Sequence, residues 1–210
     1  MSEKVFITGA SSGIGAALAT EYAKRGAILG ISARRSEKLQ GIAQQCKESG
    51  AADVFTYTLD VTDQDSSADT AKEFIAAANG IDIVIANAGV ANSDKISSGE
   101  ATQINQVFST NVLGVTNSII PFVPAMKDNV SGKIVIISSI ASFRPIAFHG
   151  GYSASKSAVR MLADSWRMAL KKYNIQLTAI CPGFIVSEMT DENKFPMPFL
   201  LETKDAARKM

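Results

Sequence analysis

The 210-residue chain has few of the features that mark membrane-spanning, secreted or nucleic-acid-binding proteins. Its formal net charge is only +1, which gives no broad electrostatic case for binding nucleic acid or an anionic membrane. No apolar run approaches the roughly 20 residues of a membrane helix. The first residues lack the basic segment and apolar core of a signal peptide. We therefore expect a cytoplasmic protein with neither kind of partner.

Cysteine is scarce, and internal repeats, low-complexity stretches and linkers are lacking. Cys46 and Cys181 are far apart and fit neither a CxxC nor a metal-binding spacing, so we expect free thiols, a reducing compartment and no metal site. Hydrophobic residues make up 46% of the chain and charged residues 20%. These values and the length predict one domain over residues 1–210 with a substantial core.

Short apolar runs alternate with helical patterns six times. The predicted strands are Val5–Ile7, Ala27–Ile31, Val54–Leu59, Ile81–Ile85, Ile134–Ile137 and Ile175–Ile180. Ser36 and a capping box at residues 62–65 are expected to begin two of the helices, and a long helical pattern over residues 102–126 is broken near Pro121 and Pro124. The alternation predicts an α/β fold: a Rossmann-like, doubly wound parallel sheet in the order 3-2-1-4-5-6, with its ligand at the carboxyl ends of the strands.

The first strand leads into a glycine-rich turn and a helix start at residues 8–15, Thr-Gly-Ala-Ser-Ser-Gly-Ile-Gly. Glycine adopts positive φ in tight turns and lets backbone N–H groups approach a ligand. A helix N-terminus adds unpaired N–H donors and about half a unit of positive charge, so the stretch predicts a phosphate site. The spacing alone also fits an ordinary structural turn.

The second strand ends in Ser32-Ala33-Arg34-Arg35. A fold that binds NAD usually has an acidic residue there for the ribose 2′-OH, and Ala33 cannot serve. Arg34 and Arg35 offer donors and positive charge to a 2′-phosphate, which indicates NADP rather than NAD; two solvated arginines are the alternative. Asp60, after the third strand, either accepts a hydrogen bond from adenine or caps the next helix, a role we assign to Asp63.

A tyrosine and a lysine one helical turn apart form the sharpest chemical pattern. Tyr152 and Lys156 share a helix face at i and i+4. An ammonium about 5 Å away would favour the phenolate by roughly two pK units at most, so we expect a lowered tyrosine pKa and a usable general acid or base. Ser139, at the end of the fifth strand, could hold the substrate oxygen. Taken alone, the Tyr-x-x-x-Lys spacing also fits two ordinary surface residues.

Together these motifs resemble the short-chain dehydrogenase/reductase family of the classical type. The resemblance runs, in the family's order, through Thr8–Gly15, Asp60-Val61, Asn87-Ala88-Gly89, Asn111, Ser139, Tyr152–Lys156 and Pro182-Gly183. It implies that Tyr152 is the general acid/base, that Ser139 positions the carbonyl oxygen, and that Lys156 lowers the tyrosine pKa and binds the nicotinamide ribose. It also implies that Asn111 interrupts the long helix and holds a water of the proton relay, and that Asn87 stabilises the central strands.

The resemblance and the motifs define two sets of expected site residues. The expected catalytic residues are Asn111, Ser139, Tyr152 and Lys156. The expected cofactor-binding residues are Gly9, Ser11, Ser12, Gly13, Ile14, Gly15, Arg34, Arg35, Asp60, Val61, Asn87, Ala88, Gly89, Tyr152, Lys156, Pro182, Gly183 and Ile185. Ser187 stands where the family often has threonine.

Two positions depart from the family pattern near the cofactor residues. Ala86 stands where many members have another asparagine, and we expect little effect from it. Ser12 stands where some NADP-preferring members have a basic residue before the second glycine, so the NADP prediction depends on Arg34 and Arg35.

The chain also stops at Met210 in what resembles an unfinished helix over residues 202–210. Family members usually continue through another helix and a seventh strand. We therefore expect the last helix and the seventh strand to be missing, which would leave strand six exposed at the edge of the sheet.

Aromatic and methionine residues are concentrated in segments 140–151 and 184–200, which we expect to wall the substrate site. They are Phe143, Phe148, Phe184, Met189, Phe195, Met197 and Phe199. Both an apolar, flexible pocket and ordinary loop packing fit this composition. For His149 a surface or packing role is favoured over substrate contact, and Arg144 meets either a carboxylate or solvent.

The sequence thus predicts an NADP-dependent oxidoreductase that interconverts an alcohol and a ketone or aldehyde, with a small-molecule substrate that is partly apolar. The alternative is a catalytically silent NADP(H)-binding sensor or scaffold of the same fold, against which the intact four-residue catalytic set argues. The resemblance also implies a homodimer or homotetramer packed through the helices over residues 102–126 and 151–173.

Overall fold

A six-stranded parallel sheet forms the centre of the computed structural model, which describes residues 2–190 and 196–210. The strands β1 to β6 are Lys4–Thr8, Ile28–Ala33, Asp53–Thr58, Ile83–Ala86, Gly132–Ile137 and Ile175–Ile180. Every neighbouring pair is parallel, and the order is β3-β2-β1-β4-β5-β6. The predicted fold class and strand order are confirmed.

Helices cover both faces of the sheet. The helices α1 to α8 are Gly13–Ala23, Ser36–Glu48, Gln64–Ala78, Thr102–Phe108, Gly114–Ile119, Val123–Asp128, Gly150–Leu170 and Thr203–Lys209. Short 3₁₀ turns occupy Ile96–Ser98, Ile120–Phe122, Ile140–Ser142 and Lys171–Tyr173, and a π-helical turn occupies Ser109–Leu113.

Alternating side chains of the buried strands divide the core into two clusters. Val5 and Ile7 of β1 pack with residues of α1, α2 and α8 on one face. Phe6, between them, packs on the other face with residues of α3, α5, α6 and α7. This alternation follows from the two-residue period of a strand, and burial on both faces explains why the strands read as continuous apolar runs.

An aromatic cluster anchors the second face. The ring centroid of Phe6 lies 5.3 Å from that of Phe74 on α3 and 4.9 Å from that of Phe122. Gly30 of β2 makes room for the cluster, because a Cβ there would lie 2.6 Å from carbons of Phe6 and Phe74. The cluster fixes β1, and therefore the turn that follows it, against the rest of the sheet.

The long helical pattern predicted over residues 102–126 is present as a chain of helical pieces. The π-helical turn at Ser109–Leu113 separates α4 from α5, and the 3₁₀ turn at Ile120–Phe122 contains Pro121. Because proline lacks the backbone N–H of a regular helix, the break near Pro121 has the predicted cause.

This stretch, Thr102–Asp128, is long and apolar enough to cross a membrane by length and composition alone. Within the part of the chain that the structure describes, it is the one helix that meets this test. Its residues Val115, Ile119, Phe122 and Met126 are buried in the second core cluster. Packing against the sheet therefore accounts for part of the apolar character, while Phe108, Leu113 and Ile120 are exposed.

Two predicted helix starts need correction. Ser36 does not cap α2; it is the first helical residue, and Arg35 occupies the cap position without a side-chain cap bond. α3 is capped by Asp63, whose carboxylate accepts a hydrogen bond from the Ser66 N–H at 3.0 Å. The cap lies one residue later than the predicted box beginning at residue 62, and the capping role assigned to Asp63 is confirmed.

The last described helix packs on the glycine-turn side of the sheet. Ala206 and Ala207 of α8 are buried, and α8 lies against α1. The segment that connects β6 to α8 is tied down by a parallel bridge between Ile185 and Leu201. Among the described strands, β6 pairs with β5 alone, at the edge of the sheet.

Candidate active site

The turn after β1 has the backbone conformation that its glycines allow. Gly9 has φ +68° and Gly13 has φ +55°, both in the left-handed region. At Gly15 a Cβ would lie 2.5 Å from the side-chain nitrogen of Asn87 and from the carbonyl oxygen of Gly9. Ser12 occupies the cap position of α1 without a side-chain cap bond, so no capping side chain takes up the first N–H groups of the helix. The turn can therefore receive an anion.

The segment after β4 packs directly on this turn. The Asn87 side chain donates hydrogen bonds to the carbonyl oxygens of Thr8 at 3.0 Å and Gly9 at 3.1 Å. The backbone N–H groups of Asn87 and Ala88 both donate to the Thr8 hydroxyl at 3.2 Å. Asn87 thus joins β1 to β4 beside the glycine turn, where the resemblance implies that it lies.

Asn111 lies in the π-helical turn and is fully buried. Its amide oxygen accepts a hydrogen bond from the Val90 N–H at 2.8 Å, and its amide nitrogen donates to the Val90 carbonyl at 2.9 Å and the Ser155 hydroxyl at 3.0 Å. A Cβ on Gly89 would lie 3.2 Å from the Asn111 amide oxygen and 3.4 Å from the Lys156 ammonium. Asn111 therefore connects the β4 loop to α7, with its amide engaged by protein groups.

Tyr152 and Lys156 lie on one face near the start of α7, beside the end of β5. The Lys156 nitrogen is 5.8 Å from the centre of the Tyr152 ring and donates a hydrogen bond to the Ile137 carbonyl at 2.8 Å. The Ser138 hydroxyl donates to the Lys156 carbonyl at 2.9 Å, which ties α7 to β5. Ser139 is hydrogen-bonded to Tyr152, and its oxygen also accepts from the Ala141 N–H at 3.1 Å. The structure thus brings three of the predicted catalytic side chains together.

Burial controls the pKa values of this pair. It raises the pKa of Tyr152 above its usual value, and the hydrogen bond with Ser139 only partly offsets this effect. Burial also lowers the pKa of Lys156 to about 8, opposed by the nearby Cys181. The predicted lowering of the tyrosine pKa by Lys156 is not found, because loss of water disfavours both charged forms where Lys156 is buried and Tyr152 is half-buried.

An aspartate that sequence reasoning missed holds the start of α7. The Asp94 carboxylate accepts the Gly151 N–H at 3.1 and 3.0 Å through its two oxygens. The Asp94 N–H donates to the Phe148 carbonyl at 2.6 Å. Asp94 therefore positions the turn that carries Tyr152. No local pattern could have revealed it, because its partner lies 57 residues away.

The two predicted arginines have different surroundings. Arg34 lies 3.8 Å from the Asp60 carboxylate and is largely exposed. Arg35 lies over the glycine turn and donates to the Ser11 hydroxyl at 3.1 and 3.3 Å and to the Ser12 hydroxyl at 2.7 Å. Asp60 does not cap α3, and it accepts from the N–H and the hydroxyl of Thr62. Cations, hydroxyls and a carboxylate thus meet at the edge where adenosine was expected.

A second acidic residue at this edge escaped the sequence analysis. Glu188, from the loop after β6, contacts Arg35 at 2.7 Å and Lys38 at 2.6 Å. The contact joins residues 153 positions apart, and nothing local in the sequence signals it.

The remaining predicted cofactor residues lie at the same edge of the sheet or support it. Ile14 packs half-buried against the first core cluster, and Val61 is buried. The Pro182 carbonyl accepts from the Ile140 N–H at 3.0 Å, and Gly183 approaches Ile140. Ile185 is buried at its bridge to residue 201. The carboxyl ends of β1, β4, β5 and β6 therefore converge as predicted.

The predicted substrate walls expose apolar side chains. Exposed members are Ile140, Phe143, Phe148, Met189, Phe199 and Leu200. The Arg160 guanidinium stacks on the Phe143 ring at 4.5 Å. Arg144 is exposed, and His149 precedes α7 with its ring nitrogen 3.2 Å from the Ala147 carbonyl. Phe195 lies outside the described residues. A groove of about 520 Å³ between α1, α2 and α8 is lined by Gly13 and Ser187 but not by Tyr152 or Ser139.

Comparison with known proteins agrees with this geometry. Residues 3–196 match the family model described as short chain dehydrogenase. The chain is 37% identical to an uncharacterized oxidoreductase of Myxococcus xanthus, over 97% of this chain and 80% of that protein. It is 34% identical to 11-beta-hydroxysteroid dehydrogenase A of Sesamum indicum, over 91% of this chain but only 54% of that protein.

Solved structures have the same fold. A short-chain type dehydrogenase/reductase from Mycobacterium marinum superposes with a TM-score of 0.91 at 26% identity, over 99% of this chain and 86% of that chain. An alcohol dehydrogenase from Thermococcus sibiricus, complexed with 5-hydroxy-NADP, superposes with a TM-score of 0.90 at 26% identity, over 100% of this chain and 88% of that chain. The protein is therefore an oxidoreductase of the short-chain dehydrogenase/reductase family.

Proposed function

We propose that the protein is an NADP-dependent oxidoreductase that interconverts an alcohol and a ketone or aldehyde, with Tyr152 as its general acid/base. The observation that carries the proposal is the placement of Tyr152, Ser139 and Lys156 at the strand ends beside the glycine turn. We propose that the residues named from the sequence as catalytic or cofactor-binding have those roles. The proposed domain is a single one over residues 1–210.

The glycine turn fits a dinucleotide. The first turn of α1 offers N–H groups that no capping side chain engages, and Ser11 and Ser12 add hydroxyls beside them. These groups, with the helix dipole, would bind the pyrophosphate. Gly89 lies beside Lys156, since a Cβ there would lie 3.4 Å from the lysine ammonium and 3.2 Å from the Asn111 amide oxygen. Lys156 would donate a hydrogen bond to the nicotinamide ribose.

The side chains of the site supply the proton and orient the substrate. When bound, the reduced nicotinamide supplies a hydride to the carbonyl carbon. The Tyr152 hydroxyl donates its proton to the carbonyl oxygen, and the Lys156 ammonium stabilises the phenolate that remains. The Ser139 oxygen accepts from the Ala141 N–H, and its hydroxyl would donate a hydrogen bond to the substrate oxygen. In the reverse direction the same groups remove the proton from an alcohol.

NADP rather than NAD is supported by the charge at the end of β2. Arg34 and Arg35 stand at this edge, and Ala33 offers no acceptor for a ribose 2′-OH. The Arg35 guanidinium lies over Ser11 and Ser12 and can pair with a 2′-phosphate. The Thermococcus sibiricus alcohol dehydrogenase, complexed with 5-hydroxy-NADP, is an example of this fold with an NADP derivative.

The substrate is proposed to be a small molecule with an apolar part. The exposed Phe143, Phe148 and Met189 near the site would contact it. A relative named for a hydroxysteroid supports a ring-containing apolar alcohol or ketone. We further propose that the protein acts in the cytoplasm as a homodimer or homotetramer.

Replacing the proposed acid/base is the direct test. Tyr152→Phe removes only the hydroxyl, so turnover of a carbonyl substrate with NADPH should fall about 10²–10⁴-fold while the NADPH dissociation constant stays within about twofold. Tyr173→Phe, outside the site, is the matched control and should retain full activity. Normal turnover in Tyr152→Phe would refute the assignment. NADPH binding without turnover across a broad alcohol and carbonyl panel would favour the silent sensor.

A further inference from the structure

The Glu188 carboxylate, from the loop after β6, lies against two cationic side chains beside the glycine turn. One oxygen of Glu188 lies 2.7 Å from an Arg35 nitrogen and accepts from the Ser12 hydroxyl at 3.3 Å. The other oxygen accepts from the Lys38 ammonium at 2.6 Å. One acidic side chain therefore binds two cations and a hydroxyl, from Arg35 at the cap position of α2, Lys38 within α2 and Ser12 in the glycine turn.

These donors are the ones that a 2′-phosphate needs. The Arg35 guanidinium presents a planar set of N–H donors, which bind a carboxylate or a phosphate with similar geometry. Lys38, in the first turn of α2, adds a second positive charge beside the same carboxylate. Arg34 faces Asp60 instead. Glu188 thus occupies the position for which the phosphate would compete.

Glu188 is presented by an ordered turn. The Ser187 N–H donates to the Thr190 hydroxyl at 2.9 Å, and the Thr190 N–H donates back to the Ser187 carbonyl at 2.8 Å. The Val186 N–H donates to the Leu201 carbonyl at 3.0 Å. A Cβ on Gly13 would lie 3.5 Å from the Ser187 Cβ, so this turn rests against the start of α1. The protein backbone, and not the ion pairs alone, puts Glu188 there.

We propose that Glu188 is a specificity-determining residue that competes with the 2′-phosphate of NADP(H) for Arg35 and Lys38. This inference rests on the proposed NADP dependence. A phosphate with up to two negative charges and the Glu188 carboxylate repel each other at one pair of cations. NAD(H) has no 2′-phosphate and leaves the carboxylate in place. Glu188 therefore narrows the preference for NADP over NAD that the arginines alone would give.

The exchange is feasible because the ion pairs are half-exposed. The side chains of Arg35, Lys38 and Glu188 are 45%, 52% and 50% exposed. Ion pairs in such surroundings contribute little net stability, so a phosphate can displace the carboxylate without disturbing the fold. Hydrogen bonds from Lys38 and Arg35 hold the pKa of Glu188 down at about 2, and the competing charge is therefore present at any working pH.

Titration with NADPH and NADH tests the competition. Glu188→Gln keeps the shape of the side chain and removes its charge. Glu37→Gln removes the same charge from the first turn of α2, and among the described residues Glu37 has no ion pair. We expect Glu188→Gln to lower the NADPH dissociation constant about fivefold, with the NADH constant within about twofold. Glu37→Gln should change neither constant more than about twofold.

Salt provides a second measurement. In about 0.5 M salt the gain of Glu188→Gln for NADPH should shrink to less than about twofold, because the repulsion it relieves is screened. Unchanged NADH binding reports that the variant site is folded. An NADPH constant that stays the same or rises in Glu188→Gln, or an equal tightening for NADPH and NADH, overturns the proposal.

The outcomes also separate this inference from the proposed function. A wild-type protein that prefers NADH, combined with a selective gain for NADPH in Glu188→Gln, supports the role of Glu188 and refutes the NADP dependence. A wild-type preference for NADPH that Glu188→Gln leaves unaltered supports the NADP dependence and refutes the role of Glu188.

Discussion

The two ends of the site differ in how they hold charge. At the catalytic end, Asn111 and Lys156 are 0% and 4% exposed, and their polar atoms bond to Val90, Ser155 and Ile137. At the adenosine end, Arg35 and Lys38 are about half exposed and pair with Glu188, and the exposed Arg34 lies near Asp60. Burial shifts pKa values and makes each bond costly to lose, whereas exposure makes ion pairs exchangeable. The fold therefore places fixed groups where we propose proton transfer, and exchangeable groups where we propose cofactor selection.

The largest effect is expected at the buried ammonium. Lys156→Met keeps the volume and removes the charge near Tyr152, so kcat should fall about 10²–10³-fold. The free energy of unfolding should change by less than about 2 kcal/mol, because the lost bond to the Ile137 carbonyl and the relieved burial of charge oppose each other. Steady-state kinetics and urea unfolding measure both. Lys171→Met, on the turn after α7, is the control; equal activity in the two variants would contradict the role.

Stability should respond most at Asn111. Asn111→Leu leaves the N–H and carbonyl of the half-buried Val90 and the hydroxyl of the buried Ser155 without their Asn111 partner, and the free energy of unfolding should fall by about 3 kcal/mol. Asn105→Leu, on the exposed side of α4, should stay within about 0.5 kcal/mol of the wild type. Denaturant unfolding of both variants measures these changes. A loss of unfolding free energy below about 1 kcal/mol in Asn111→Leu would contradict a large contribution of the Asn111 hydrogen bonds to stability.

The buried pair also predicts a pH profile. The pKa of Lys156 is lowered to about 8, so the ammonium is present below that pH and is lost as the pH rises through it. The value of kcat/KM for NADPH, which reports the free enzyme, should therefore fall about tenfold between pH 7 and pH 9. The pKa of Tyr152 is raised, which keeps its proton available over the same range. A profile that stays flat or rises up to pH 9 would contradict this assignment.

The smallest effect is expected at the exposed end. Arg35→Ala should raise the NADPH dissociation constant about fivefold and leave the NADH constant within about twofold, because it removes one half-exposed charge from the 2′-phosphate site. Arg34→Ala should also weaken NADPH binding more than NADH binding, because it removes a cation at this edge that lies 3.8 Å from the Asp60 carboxylate. Equilibrium titration of both cofactors checks the pair, and equal losses for NADPH and NADH would remove the basis for the NADP proposal.

Local patterns predicted the parts of this fold that depend on periodicity. Strand β6 runs from Ile175 to Ile180 as expected, and the predicted strand order is present. The helix starts were predicted less accurately than the strands. The predicted capping box began at residue 62, but α3 begins after Asp63, because the Asp63 carboxylate accepts a hydrogen bond from the Ser66 N–H. The sequence predicted Ser36 as the cap of α2, but Ser36 is the first helical residue and Arg35 occupies the cap position.

The site residues also divide into those that local patterns predict and those that they do not. The glycine turn, Asn87, Tyr152 and Lys156 carry patterns that sequence alone can recognise. The pKa direction of Tyr152 was predicted wrongly, because spacing along a helix gives the distance between two groups but not how much water surrounds them. Asp94 and Glu188 were missed because their partners lie 57 and 153 residues away.

The sequence by itself determined the sheet, its two apolar faces and the identity of the groups at the strand ends, since these depend on periodicity and on residue type. Only the tertiary structure decided which of those groups are buried, which are paired and which carboxylate lies against Arg35. These properties come from contacts between segments distant in the chain, and water is removed from around a charge, which changes its energy, only when those segments pack.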